Sequence, residues 1–207
     1  MRFISRVHSE KLSRLPLFLV LSLALSCMLS VQGCFVAAAG AATTSTAVAV
    51  DRRTAGTIVD DQAIELKAMY AIRQQRELWE KSHIHVLSYN NVLLLLGQTP
   101  TESFKQAAEQ ALQDIPKVRR IHNELSVTEP LPLGERSKDA WITTQIKTKL
   151  IGTKNLRAHH VKVVTEDRVV YLMGLTTPEE EMTATDIAQT VPGVEKVVQI
   201  FESSTTP

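Results

Sequence analysis

Ile84-His85-Val86, followed by Val92-Leu93-Leu94-Leu95-Leu96-Gly97, is answered by Val161-Lys162-Val163 and Val169-Val170-Tyr171-Leu172-Met173-Gly174, 77 residues later and without a gap. Upstream, Asp61-Gln62-Ala63-Ile64 answers Asp139-Ala140-Trp141-Ile142. Downstream, Thr99-Pro100 is set on Thr177-Pro178, and Ile115-Pro116-Lys117-Val118 on Val191-Pro192-Gly193-Val194. Small changes of register of this kind are absorbed by surface turns, so the chain carries one small motif twice rather than a single core.

Each repeat reads as helix, strand, strand, helix, strand, which predicts an α+β tandem in which a small mixed sheet carries two helices. In repeat 1 the first helix is expected from about Asp61 to Leu78, with Ile64, Ala68 and Ile72 on one face at helical spacing. Ile84 and Val86 alternate with His83 and His85, a half-buried strand, and Asn90-Asn91 supplies a tight turn. Thr99 and Thr177 are expected as N-caps, with Pro100 and Pro178 at the first helical position. Glu102 and Glu180 then complete a capping box in both repeats. Third strands are expected at Val118–Val127 and Val194–Glu202.

The N-terminus has a different character. Arg2, Arg6, Lys11 and Arg14 precede the apolar run Leu17–Ser30, which ends in Val31-Gln32-Gly33-Cys34. A membrane span needs about 20 apolar residues, so residues 1–33 read as an export signal. The Val-Gln-Gly-Cys end resembles a bacterial lipobox and makes Cys34 the candidate lipidated residue; the alternative is an ordinary secretory signal with an incidental Cys. Cys27 leaves with the signal, so no thiol pair remains and stability must come from apolar burial. The full chain carries 23 − 22 = +1, and loss of four basic residues and one acid leaves 19 − 21 = −2. A nearly neutral protein without clustered Lys and Arg excludes nucleic acid as partner.

Residues 34–56 begin with an uncharged, small-residue run and read as a flexible tether, with an Ala-rich helix as the alternative. Residues 57–128 and 137–203 are the two modules. Between them, residues 129–136 include Pro130 and Pro132, which favour an extended linker.

The pattern helix, I-x-V … V-x-L-x-G, capped helix, then [IV]-P-x-V resembles the BON domain, an α/β module of bacterial envelope proteins. Two such modules behind a lipobox, with Ala140-Trp141-Ile142-Thr143-Thr144 and Leu172-Met173-Gly174-Leu175, are similar to the dual-BON outer-membrane lipoproteins. The resemblance implies an outer-membrane location facing the periplasm, binding of anionic phospholipid through the second module, and a part in maintaining the membrane barrier. One departure concerns the hairpins. The family's glycine is replaced by Asn91 and Arg168, and an arginine at positive φ costs roughly 1 kcal/mol, so a different turn is expected in the second hairpin.

The residues of repeat 2 also carry a candidate lipid-facing surface of their own. At 100° per residue, Ile142, Ile146 and Leu150 form a core stripe, while Trp141, Thr144, Thr148 and Ile151 fall on the opposite side. Trp favours the headgroup level of a bilayer, and Lys138, Lys147, Lys149 and Lys154 lie near enough to neutralise acidic headgroups at about 1 kcal/mol each. The candidate lipid-binding set is therefore Lys138, Trp141, Thr144, Lys147, Thr148 and Ile151. The alternative is that Trp141 packs against repeat 1.

Catalysis finds no support. His83-x-His85 and His159-His160 lack a third ligand at recognisable spacing, so no metal is assigned and solvated strand-face histidines are expected. Glu179-Glu180-Glu181 complements a helix dipole. No nucleophile elbow, phosphate loop or dinucleotide fingerprint is present, hence no cofactor. The competing class is a non-enzymatic adaptor for outer-membrane assembly or a periplasmic stress response. Leu93–Leu96 is apolar on both faces and needs cover on both: the companion module, a second protomer through self-association, or an envelope partner.

Overall fold

Thr54 accepts a hydrogen bond from the backbone N–H of Thr57 and so caps α1, Ala55–Gln74, which is followed by the short α2, Arg76–Lys81. The computed structural model describes residues 51–154 and 156–204. Cys34, the signal and most of the tether lie outside the described residues. The core face of α1 is the expected one: Ile64, Ala68 and Ile72 are buried, together with Leu78 of α2.

Strands β1, His83–Tyr89, and β2, Val92–Thr99, form an antiparallel hairpin. After α3, Glu102–Gln110, the chain returns as β3, Arg120–Asn123, and β4, Ser126–Val127, both parallel to β2. The expected third strand is thus broken at Glu124-Leu125. There the side chain of Leu125 is buried in the module core, while the backbone of Glu124 still bonds to the carbonyl of Leu95.

Repeat 2 follows the same order. It comprises α4, Leu133–Gly152; a 3₁₀ turn, Ala158–His160; β5, Val161–Glu166; β6, Val169–Thr176; α5, Pro178–Gln189; and β7, Lys196–Ser203. The sheet order is β5-β6-β7.

Three expectations need correction. First, α3 is capped by Thr101, not Thr99. Thr99 is instead the buried last residue of β2, in register with Thr176 at the end of β6. Repeat 1 therefore has one extra residue before its cap, and Phe104 occupies the third helical position, so the capping box exists only at Thr177 and Glu180. Second, the linker is shorter than expected, and residues 51–56, expected in the tether, are not part of one. Helix α4 begins at Leu133, and residues 51–56 belong to the fold.

Third, both hairpins use the same turn. Asn90 and Asn91 have φ of 52° and 62°, and Asp167 and Arg168 have φ of 47° and 61°, the two-residue pattern with both positions left-handed. A buried carboxylate holds each turn. Asp61 accepts the N–H groups of Asn90 and Asn91, and Asp139 those of Asp167 and Arg168, all at 2.8–2.9 Å. Charge-assisted bonds of this kind are stronger than neutral ones and offset the left-handed cost at Arg168. Gly97 and Gly174 are needed for close approach, because a Cβ would meet the carbonyl oxygens of His83 and His160 at 1.8 and 2.4 Å.

The second face of the Leu93–Leu96 strand is covered by the companion module. Alternate residues of β2 point to different cores. Leu93 and Leu95 join the α1 side, while Leu94 and Leu96 pack with Tyr89, Val92, Tyr171, Met173 and Ile200 between the two sheets. The modules are stacked back to back, giving the layer order helix, sheet, sheet, helix. Burying one large apolar side chain contributes about 1.5–3 kcal/mol before the entropy of ordering is subtracted, so the seam is a substantial part of what holds two modules that are each marginal alone.

Candidate lipid-facing surface

Helix α4 packs Ile142, Ile146 and Leu150 into the core of module 2. With that stripe fixed, helical geometry turns Trp141, Thr144, Thr148 and Ile151 outward, and all four are exposed, Trp141 at 51% and Ile151 at 75%. Trp141 belongs to none of the three buried clusters.

The threonines make this face less polar than their names suggest. Thr144 donates its hydroxyl to the carbonyl of Ala140 at 2.8 Å, and Thr148 to that of Thr144 at 2.9 Å. Back-bonded in this way, their hydroxyl protons are already used within the helix. What remains is an aromatic ring, a branched aliphatic chain and two partly masked hydroxyls in one outward row.

The lysines differ among themselves. Lys147 is exposed on the helix and makes no ion pair among the described residues. Lys138 is paired with Glu135 at 2.7 Å, an exposed contact that holds the Glu135 carboxyl below its usual range. Lys149 turns to the hydroxyl of Thr190. Of the six residues expected to meet lipid, the structure brings Trp141, Thr144, Lys147, Thr148 and Ile151 to one exposed face and leaves Lys138 engaged with a carboxylate.

Two functional groups escaped the sequence reading. Arg52, which was placed in the tether, donates to the carbonyl of Leu175 at 2.9 Å and pairs with Glu180 of the capping box. Arg53 binds Asp61 at 2.9 Å and lies 4.0 Å above the Tyr89 ring. The chain entering from the N-terminus is thereby clasped to both modules at their seam. The available signal was Asp51-Arg52-Arg53, the first charges after a long neutral run. His160 also departs from the expected solvated histidine: it is fully buried at the head of β5, beside Glu180.

His83 and His85 face one another with Nε2 atoms 2.8 Å apart, at the edge of the seam. Among the described residues no group of three His, Cys, Asp or Glu converges as a metal site. Burial, then the charges of His85 and Arg136, pull the pKa of His83 from 6.5 to about 4. Because the folded value lies below the unfolded one, its contribution to stability is complete above about pH 6.5 and is lost as pH falls through about 4. His122 shifts in the same direction. The melting temperature is therefore expected to fall from pH 7 to pH 5, with His83→Gln removing part of that slope. An unchanged slope, measured by calorimetry, would assign the effect elsewhere.

A BON-domain profile matches residues 60–129 and 138–201. The chain belongs to the BON-domain family. It is 34% identical over 182 residues to the Outer membrane lipoprotein DolP of Haemophilus influenzae, covering 88% of this chain and 94% of that one. It is 38% identical over 152 residues to the 21 kDa hemolysin of Actinobacillus pleuropneumoniae, covering 73% and 78%. The Osmotically-inducible protein Y of Escherichia coli is 27% identical over 145 residues, covering 69% of this chain and 72% of its own. In BON terms, the exposed row of α4 is the first helix of the second module.

Proposed function

We propose that this BON protein is a lipid-anchored envelope protein, acylated at Cys34, held in the outer membrane with both modules facing the periplasm. There it binds anionic phospholipid through the outward face of α4 and helps maintain membrane integrity. The observation that carries this reading is the exposure of Trp141 and Ile151 on that face with the unpaired Lys147 beside them. A half-buried indole is suited to the interface, where its ring is shielded and its N–H stays wet. The similarity to a protein named as an outer-membrane lipoprotein supports the location.

The test is flotation of residues 34–207 carrying Cys34→Ala, so that neither the signal segment nor an acyl anchor can mask the contact, with anionic and with neutral vesicles. Trp141→Glu should abolish co-flotation with phosphatidylglycerol vesicles and leave the melting temperature nearly unchanged, because the ring fills no core. Lys147→Glu should weaken binding in a salt-dependent way, since such attraction is screened beyond about 8–10 Å. Equal flotation of Trp141→Glu and the parent would remove α4 as the contact.

The adaptor reading draws on a different face. Val59, Leu66 and Tyr70 are exposed along the outward side of α1, a stripe suited to a protein partner.

A further inference from the structure

Strands β1 and β5 are terminal strands of their sheets, and each sends alternate side chains into the seam. From β1, Leu87 and Tyr89 join the apolar cluster, and His85 and His83 occupy the same face toward the start of the strand. From β5, Val164 joins the cluster, and Glu166 follows two residues later on that face. The apolar seam therefore ends in polar groups, around a pocket of about 380 Å³ with His83 and His85 on one wall and Arg136, Asp139, Thr143 and Glu166 on the other.

The two imidazoles set the chemistry. Their Nε2 atoms lie 2.8 Å apart on nearly perpendicular rings, at an interplanar angle of 89°. A proton between them makes one hydrogen bond; a metal ion off the line that joins them takes both lone pairs. With metal–nitrogen bonds of about 2.0 Å, two ligands at a right angle stand about 2.8 Å apart, and two at the tetrahedral angle about 3.3 Å. The observed spacing is that of neighbouring positions in a square or octahedral shell, the preference of Cu²⁺ and Ni²⁺ rather than of a closed zinc site. Charge favours a cation over an anion. Arg136 opposes two carboxylates in the pocket, Asp139 and Glu166. Asp139 is committed to the N–H groups of its turn. Glu166 accepts from Gln98 Nε2 at 2.7 Å through Oε1, and burial holds its carboxyl above the usual range, so a cation nearby relieves an incompletely compensated charge.

From this geometry we infer that His83 and His85 chelate one divalent transition-metal ion through their Nε2 atoms, with Cu²⁺ the best fit. Glu166 of the second module supplies compensating charge from across the pocket. No third His, Cys, Asp or Glu converges there among the described residues, so the site is a two-donor chelate completed by water rather than a closed structural cage. His85 is exposed and His83 half-buried, which gives an ion access from solvent. Because the donors come from one module and the balancing charge from the other, the ion binds the folded tandem better than the unfolded chain and stabilises it by mass action. The site uses none of the exposed row of α4 and stands independently of lipid binding.

Residues 34–207 carrying Cys34→Ala contain no thiol, and their histidines are His83, His85, His122, His159 and His160. Titration of this protein with Cu²⁺ should saturate at one ion per chain and raise the melting temperature. Paramagnetic loss of amide signals should centre on residues 83–85, on 97–98 of the paired strand and on 165–166 across the pocket. Mg²⁺, which prefers oxygen ligands, should do none of this. His83→Gln and His85→Gln should each weaken Cu²⁺ binding at least about tenfold, because a single imidazole loses the effective concentration of the pair. Glu166→Gln should weaken it less than either, and His159→Gln, in the other histidine pair, should leave it unchanged. His85 is exposed, so His85→Gln should melt with the parent in the absence of metal and decides the matter even if His83→Gln fails to fold. Signal loss centred anywhere else, or an affinity indifferent to His85→Gln, would overturn the site.

Discussion

Leu94→Lys should abolish cooperative melting of the whole chain, not of module 1 alone. Leu94 has no solvent exposure and sits in the seam with Tyr171 and Met173 of the other repeat. An ammonium placed there has no carboxylate within the apolar cluster to pair with, and burying an unpaired charge is among the few single changes that exceed about 4–5 kcal/mol. Because the side chain points away from α1, the damage falls on the contact between sheets. Amide exchange should therefore rise in β6 as well as β2. Leu94→Met, which conserves volume, should cost less than about 1.5 kcal/mol, and Leu66→Lys, on the exposed face of α1, should be nearly neutral. Retention of wild-type exchange in β6 of the Leu94→Lys protein would show that module 2 stands without the seam.

Asp61→Ala should be the most damaging polar substitution. The Asp61 carboxylate accepts from Ser88 Oγ at 2.6 Å, from the N–H groups of Asn90 and Asn91 at 2.8 Å, and from Arg53 at 2.9 Å. Leaving a buried donor unsatisfied costs about 1–3 kcal/mol, and water reaching the half-buried turn recovers part of this. A loss of about 3 kcal/mol, or roughly 6–12 °C in melting temperature for a chain of this size, is expected by calorimetry. Asp139→Ala, which orphans two turn N–H groups and no arginine, should cost less. A smaller effect at Asp61 than at Asp139 would contradict this account of the hairpins.

The fold was legible where a local rule and the repeat agreed. Ile64, Ala68 and Ile72, or Ile142, Ile146 and Leu150, declare a buried helix face by spacing alone, and the Thr177 box declares a helix start. It was less legible where one repeat was used to read the other. Setting Thr99 on Thr177 hid the extra residue in repeat 1 and moved the start of α3. The second hairpin misled because positive φ at Arg168 was weighed without the remote Asp139 that stabilises it. For Leu93–Leu96 the composition demanded two-sided cover, but which body supplied it is a tertiary fact. The outward row on α4 was readable because it is the complement of the core stripe. The pairing of Arg52 with Glu180 was not, because the two meet only when the segment before α1 is folded against the head of α5.

The back-to-back stacking of the sheets also sets a limit on geometry. The exposed row of α4 and the exposed row of α1, with Val59, Leu66 and Tyr70, cap opposite ends of a four-layer stack. A plane that is tangent to one of these helical faces cannot be tangent to the other. A single molecule lying on a flat leaflet through α4 therefore presents α1 to the aqueous side, and the two faces act as the two poles of a spacer.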